Sequence, residues 1–438
     1  MALWAKAFAA PIAKQHFGRH GCILRASRTD KLANVQKLSD RVAVDASVVP
    51  KFLRGSLYAI LLIAGLLSVP RLGVYGPLPT TTLLDAWIIL FVIGCVLRGK
   101  ILTTGLLLVL SAFLLSRVIP VIATLSPLED FFQAYRWILY LAAFAVAVGR
   151  QWAPIRPMIM LMWALLIMAF VKAALTQVFI GSGARPGLLL ENNFELALFC
   201  GTVAVLYRHM DRSRLWAIAL LGALTVLSGS RSGAVAFLIV ALYALIQARS
   251  TNVFNRFLLV CLAPILVLIP LWIFGERASP NGKIDRLNFL DVFLQETKGW
   301  DIGTWLIGTT PITPLSDAAC ARLSYYNVLF SSVGDGSCYS VILHAFVLRV
   351  VFDAGLLGLF FAFGVTWYVL RRAGVQFTLA ACLILIAFAN SLSVSGLNNP
   401  YVAFPILLAI LTAAGVPSEP AQTPKPPDSR QLRVSARR

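Results

Sequence analysis

Apolar residues in this chain gather into long, nearly uninterrupted runs rather than the alternating or one-in-three patterns of a half-buried strand or helix. A helix crosses the ~30 Å hydrocarbon core with about twenty mostly apolar residues, and with fewer when flanking side chains reach back to the interface. The runs that qualify are 52–69, 83–97, 101–116, 136–149, 157–175, 194–207, 215–228, 233–247, 257–274, 354–370, 375–391 and 401–416. They predict an all-α, polytopic integral membrane protein of about 12 transmembrane helices, because lipid offers the backbone no hydrogen-bond partners and helices satisfy their own.

The polar gaps set the expected organisation. Residues 1–51 read as a basic N-terminal tail, with nine Lys/Arg against Asp30, Asp40 and Asp45. They hold no compact apolar core followed by a cleavage site, so they read as a cytosolic tail near anionic lipid rather than as a secretory signal or transit peptide. Residues 52–274 hold spans one to nine, 275–353 a large loop, and 354–416 spans ten to twelve. The Pro-rich, basic stretch 417–438 reads as a disordered tail.

Charge placement orients these spans. Alternate gaps carry Arg98/Lys100, Arg150/Arg156, Arg208/Arg212/Arg214, Arg249/Arg256 and Arg371/Arg372, with Asp211 their one acid. The opposite gaps at 70–82, 117–135, 176–193, 229–232 and 392–400 hold one base each or none. By the positive-inside rule both termini are cytoplasmic and the 275–353 loop is external. Residues 341–353 then read as a helix, bearing His344, that runs into the tenth span.

Composition agrees: 59% of residues are hydrophobic and 13% charged, against about a quarter charged in soluble domains. The net charge of +19 sits in the gaps and tails, which argues against nucleic acid as a partner and for membrane lipid. Of seven cysteines, Cys320 and Cys338 share the external loop. They form a disulfide if that loop faces an oxidising compartment and remain two thiols if it does not. No spacing resembles a metal site.

Chemistry is sought among the external cations, since an arginine on the translocated side works against insertion. Arg185 lies in Gly-Ala-Arg-Pro-Gly, ahead of Asn192 and Asn193, which open the sixth span. It is either an anion ligand or a scaffold residue paired with Glu191. Arg231 lies in Ser-Gly-Ser-Arg-Ser-Gly at the start of the eighth span, where helix N–H groups and a guanidinium favour phosphate. The alternative is a snorkelling hairpin arginine. His344 is the one histidine outside the cytoplasmic segments, either a general base or a packed structural imidazole. Arg349 and Asp353 have the spacing of an ordinary helix ion pair. Arg286, Arg322 and Lys172 are further candidates.

An Arg-x-Gly segment leading to Asn, a Ser-x-Ser-Arg hairpin, and a large loop that ends in His344 and Asp-x-Gly-Leu-Leu-Gly (Asp353 to Gly358) succeed one another in this order. Together, over residues 157–370, they resemble the O-antigen ligase and polymerase superfamily (Wzy-type polysaccharide polymerases and lipopolysaccharide ligases). The chain departs from it at Ala345, where an Asn is common, and in lacking the Pro that often precedes the Asn segment. The resemblance implies a bacterial inner-membrane, lipid-linked-donor glycosyltransferase that requires neither metal nor other cofactor. Its donor would be an undecaprenyl-diphosphate-linked glycan, and a flippase and a chain-length regulator would be its partners. It implies that Arg185 and Arg231 hold the diphosphate and that His344 accepts the hydroxyl proton or orients the acceptor. Asn192, Asn193, Arg286 and Arg349 become candidate substrate contacts.

The leading expectation is polymerisation of repeat units into exopolysaccharide or O-antigen. Ligase-type transfer to a lipid or protein acceptor is the alternative within the superfamily. A flippase or transporter is the alternative outside it, although transporters place their charges near the midplane and often show repeats. A membrane scaffold would need neither His344 nor Arg231.

Overall fold

A computed structural model describes residues 48–99, 101–181, 187–211, 213–247 and 285–413. Eleven of the twelve apolar runs fall on helices there: α1 (Lys51–Ser68), α2 (Thr80–Leu97), α3 (Thr104–Ala123), α4 (Leu128–Ala147), α5 (Arg156–Phe179), α6 (Asn192–Leu206), α7 (Arg214–Ser228), α8 (Arg231–Gln247), and then, beyond the loop, α12 (Phe346–Arg372), α13 (Phe377–Ser391) and α14 (Pro400–Ala413). The run at 257–274 lies outside the described residues, as do residues 1–47, the C-terminal tail and the first part of the loop. Three short helices belong to the loop: α9 (Asp285–Glu296), α10 (Ile302–Ile307) and α11 (Asp317–Arg322). The described residues form no β-strand, only an isolated bridge between Val48 and Gln151.

Five helices, α1, α2, α3, α5 and α12, are long and apolar enough to cross a membrane, and α7, α8, α13 and α14 are shorter apolar helices. This is a membrane-embedded helical protein. Helix α3 shows the solvent it was built for: nearly all of it is uncovered, and what it presents outward is Leu108, Leu115 and Ile119. Inward-facing residues of the other helices form one continuous core in which Trp87 stacks on Phe91 and Trp137 meets Phe346 edge-on.

Hydrogen bonds sort the helix ends into two sets. At one end Arg150 Nη2 donates to the Cys95 carbonyl (2.8 Å), Arg208 Nη2 to Gln247 Oε1 (2.8 Å), and Gln247 Nε2 to Thr378 Oγ1 (2.9 Å). Arg371 and Arg372 close α12 with the same polarity of basic residues. At the other end the start of α4 meets the loop, where Asp130 accepts from Ser331 Oγ (2.8 Å) and Ser332 N (3.1 Å). There too Asn398 inserts its amide into α4, Oδ1 accepting from Trp137 N and Nδ2 donating to Gln133 O, both at 2.8 Å. Those two backbone groups are the donor and acceptor that an undisturbed α-helix would pair with each other.

The loop folds on a small core of its own: Phe289, Phe293, Leu315, Leu323 and Ile342 pack around a Cys320–Cys338 disulfide. Trp300 and Trp305 pack edge to face beside it (5.3 Å between ring centroids). An ion pair between Arg322 and Asp291 (3.1 Å) ties α11 to α9 on the exposed side.

The expected helix over 341–353 is not continuous. Ser340–Leu343 form a single 3-10 turn, and the chain breaks at His344 before α12 begins at Phe346. Within α12 a second break falls at Gly355, whose φ of +66° belongs to glycine. The cause is packing: a Cβ on Gly355 would lie 2.2 Å from the Leu306 carbonyl oxygen, and one on Gly308 would lie 2.5 Å from the Ala354 and Gly355 nitrogens. The Asp353-x-Gly355 motif thus lets two backbones touch. The Phe352 carbonyl accepts from Thr309 N (2.8 Å) and Oγ1 (3.0 Å), and the Asp353 carbonyl from Arg117 (3.2 Å).

Candidate functional site

The Asn segment and the Ser-x-Ser-Arg hairpin meet at the loop-bearing end of the bundle. Gly229, at φ +55°, ends α7 in the left-handed conformation usual for a helix C-terminus. Ser230 then caps α8, its Oγ accepting from Gly233 N at 3.1 Å. The same hydroxyl donates to Asn193 Oδ1 (2.6 Å), and Ser232 Oγ donates to that oxygen from the other side (2.9 Å). Asn193 also donates through Nδ2 to Glu191 Oε1 (3.0 Å), and its carbonyl accepts from Asn390 Nδ2 (3.0 Å). Gly233 permits this approach, since a Cβ there would sit 2.2 Å from Leu196 Cδ1. Arg231, half-buried, stands between the two serines as the first residue of α8.

Asn193 is therefore the joint between the segments, its side-chain oxygen and nitrogen both bonded to protein. Asn192 opens α6, but its side chain lies outside the described residues. Arg185 lies outside them as well, and with it the expected Arg185–Glu191 pair. The chain just beyond Arg185 is gripped by buried polar groups. The fully buried Lys172 donates to Gly187 O (2.6 Å), Val74 O (2.8 Å) and Ser68 Oγ (2.7 Å), using all three of its hydrogens. Buried Glu195 accepts from Leu189 N (2.6 Å), and Thr80 Oγ1 donates to Leu189 O (3.1 Å). Gly187 and Leu189 are thus held from α2, α5 and α6 at once, with Ser68 of α1 bonded to the same lysine. A lysine in the middle of an apolar run is the one sequence signal of this, and it does not say where the ammonium goes.

His344 occupies a γ-turn. Its φ of +57° and ψ of −36°, with Ala345 N donating to Leu343 O at 2.5 Å, are the uncommon form of that turn, strained in any L-residue. The imidazole stacks on Tyr326 (5.9 Å, 19° between planes) and packs on Phe289 (6.1 Å). It is not on an apolar helix face, as the sequence suggests, but at a break that aims it into the folded loop. Desolvation, and then the nearby charges of Arg349 and Arg286, lower its pKa to about 4. The ring is neutral at physiological pH, so it offers one nitrogen as an acceptor.

Arg349 and Asp353 do not form the expected ion pair. Arg349 is buried and donates to Ala134 O (3.2 Å), Gln133 O (3.4 Å) and Ser395 Oγ (3.4 Å). Asp353 Oδ2 accepts from Ser340 Oγ at 2.6 Å. On an exposed helix two charges one turn apart find each other. Inside this bundle each is pressed against a different neighbour, α4 for the arginine and the 3-10 turn for the aspartate, and Arg349 is a strut rather than a surface cation. Arg286 lies half-buried on α9 and Arg322 is exposed in its ion pair with Asp291. Comparison with protein-family models, with curated proteins and with solved structures returned no match to this chain.

Proposed function

We propose that this chain is a glycosyltransferase of the bacterial inner membrane that polymerises undecaprenyl-diphosphate-linked repeat units into exopolysaccharide or O-antigen. The observation that supports it most is the joint at Asn193, which holds the hairpin of Arg231 against the Asn segment that comes after Arg185. In this reading the basic end, with Arg98, Arg150 and Arg371, is cytoplasmic by the positive-inside rule. The loop-bearing end then faces the periplasm, where the disulfide is chemically suited, and the whole chain makes twelve spans.

Arg231 and Arg185 receive the diphosphate of the lipid-linked donor, and their fixed charges stabilise it as it departs from the anomeric carbon. The acceptor hydroxyl attacks that carbon and its proton passes to His344. An imidazole with a pKa near 4 is a weak base in the empty site. The negative diphosphate favours the protonated ring and raises its pKa toward the working range.

The test is a reconstituted assay with a lipid-diphosphate glycan, read as a ladder on a gel. Products extended by repeat units identify a polymerase, and transfer of one finished block to a lipid or protein acceptor identifies a ligase. Movement of the lipid across the bilayer without transfer identifies a flippase. Arg231→Ala and Arg185→Ala at normal protein abundance are expected to abolish high-molecular-weight polymer, and full polymer from both would overturn the reading.

A further inference from the structure

Helix α10 is short, but its position is unusual for part of a loop. It lies against α12 with the backbones in contact, Gly308 and Gly355 each leaving no room for a Cβ. Thr309 completes the contact by donating to the Phe352 carbonyl. The depth of this contact comes from α12 itself. Arg371 and Arg372 end α12, and its unbroken part, from Leu356 to Arg372, is roughly 25 Å long at ~1.5 Å per residue. The far edge of the ~30 Å hydrocarbon therefore falls a little beyond the break at Gly355. Gly355 is thus within roughly 5 Å of that edge, and α10, whose Leu306 backbone it touches, is at the same level.

The side chains that α10 turns outward match that depth. Ile302 is 80% exposed and Ile307 58%, and Leu306 is exposed as well. On α12, just beyond the contact, Leu357 is 57% exposed and Phe360 72%. These form one apolar surface shared by a spanning helix and the loop helix, continuous with the lipid-facing side of α12. At the start of α10 the polarity reverses: exposed Asp301 caps the helix, accepting from Thr304 N at 2.7 Å. Trp300 and Trp305 pack at this level, Trp300 on Phe352 with 5.5 Å between rings. Indoles are enriched at the boundary between hydrocarbon and water.

We infer that α10 is seated in the bilayer interface, with Ile302, Leu306 and Ile307 in lipid and Asp301 toward water. The loop is then not wholly extramembranous: one elbow of it is anchored in the leaflet beside α12. This does not depend on the reaction proposed above.

The inference is tested with nitroxides on single cysteines of the full chain in lipid nanodiscs, the Cys320–Cys338 bridge kept and the other cysteines replaced. Labels at 302 and 307 are compared with one at 357, facing lipid, and one at 321, exposed on α11. Collision with oxygen, which concentrates in lipid, and with a polar nickel chelate, which does not, reports the surroundings. At 302 and 307 the oxygen-to-nickel ratio is expected to match that at 357, several-fold above that at 321. A ratio like that at 321 overturns the inference. So does low access to both reagents, which would mean that protein covers these side chains. Every labelled position is a surface one, so the labels leave folding intact, and the two α10 sites must agree.

Discussion

Asn193 and Ser232 are 39 residues apart in sequence and 2.9 Å apart in space, joined by a hydroxyl hydrogen bond to the Asn193 side-chain oxygen. Because Ser230 reaches the same oxygen at 2.6 Å, one amide fixes both flanks of Arg231. The chain on either side of that arginine is thus tied to α6.

Asn193→Ala therefore removes three side-chain hydrogen bonds, those to Ser230, Ser232 and Glu191. At about 1 kcal/mol net for each hydrogen bond lost, the expected destabilisation is about 2–3 kcal/mol, read as a lowered unfolding temperature in detergent. Polymer yield is expected to fall at least tenfold while protein abundance changes little. A variant with wild-type yield would show that the joint does not matter to Arg231.

Lys172 and Glu195 hold the same stretch of chain after Arg185, one at Gly187 O and the other at Leu189 N. Removing either alone leaves a buried backbone group of that stretch without its partner, which costs about 1–3 kcal/mol. The double variant Lys172→Met, Glu195→Gln is expected to be more stable than the sum of the two single effects, by about 1–3 kcal/mol. Simple additivity in a thermal-stability cycle would show the two grips to be independent.

Two glycines of α12 give a paired prediction. Gly355→Ala meets the Leu306 carbonyl and a positive φ, and is expected to cost about 3 kcal/mol or more. Gly364 has nothing within 4 Å of a Cβ, so Gly364→Ala is expected to be neutral or to stabilise by up to about 1 kcal/mol. Thermal unfolding of the two variants side by side checks the break at Gly355.

The neutral His344 makes stability depend on acid. Its pKa in the folded protein, about 4, lies below the ordinary value of 6.5. Between those values the unfolded chain binds a proton that the folded one refuses, so stability falls as pH drops from 6.5 toward 4 and recovers as pH rises. The full effect is at most about 3 kcal/mol. His344→Gln is expected to flatten the difference in unfolding temperature between pH 7.5 and pH 5. An unchanged slope would assign the acid sensitivity to other groups.

The apolar runs by themselves determined that the chain is helical and membrane-embedded, and located the eleven described helices, although α3 ends later and α4 starts earlier than its run by about two turns. The reason is local: in lipid a backbone must satisfy itself, and a long apolar run has one way to do so. The punctuation was equally legible, as at Gly229 and Ser230, because capping acts over three or four residues. What the sequence could not convey is where each polar side chain is spent. Lys172 reaches Val74, Asn398 enters α4 at Gln133, and Arg349 turns to Ala134 instead of Asp353. The break at His344 and the touching backbones of Gly308 and Gly355 arise likewise from what packs against them. Inside a bundle a buried charge goes to its nearest acceptor in space, and only the tertiary structure decides which segment supplies it.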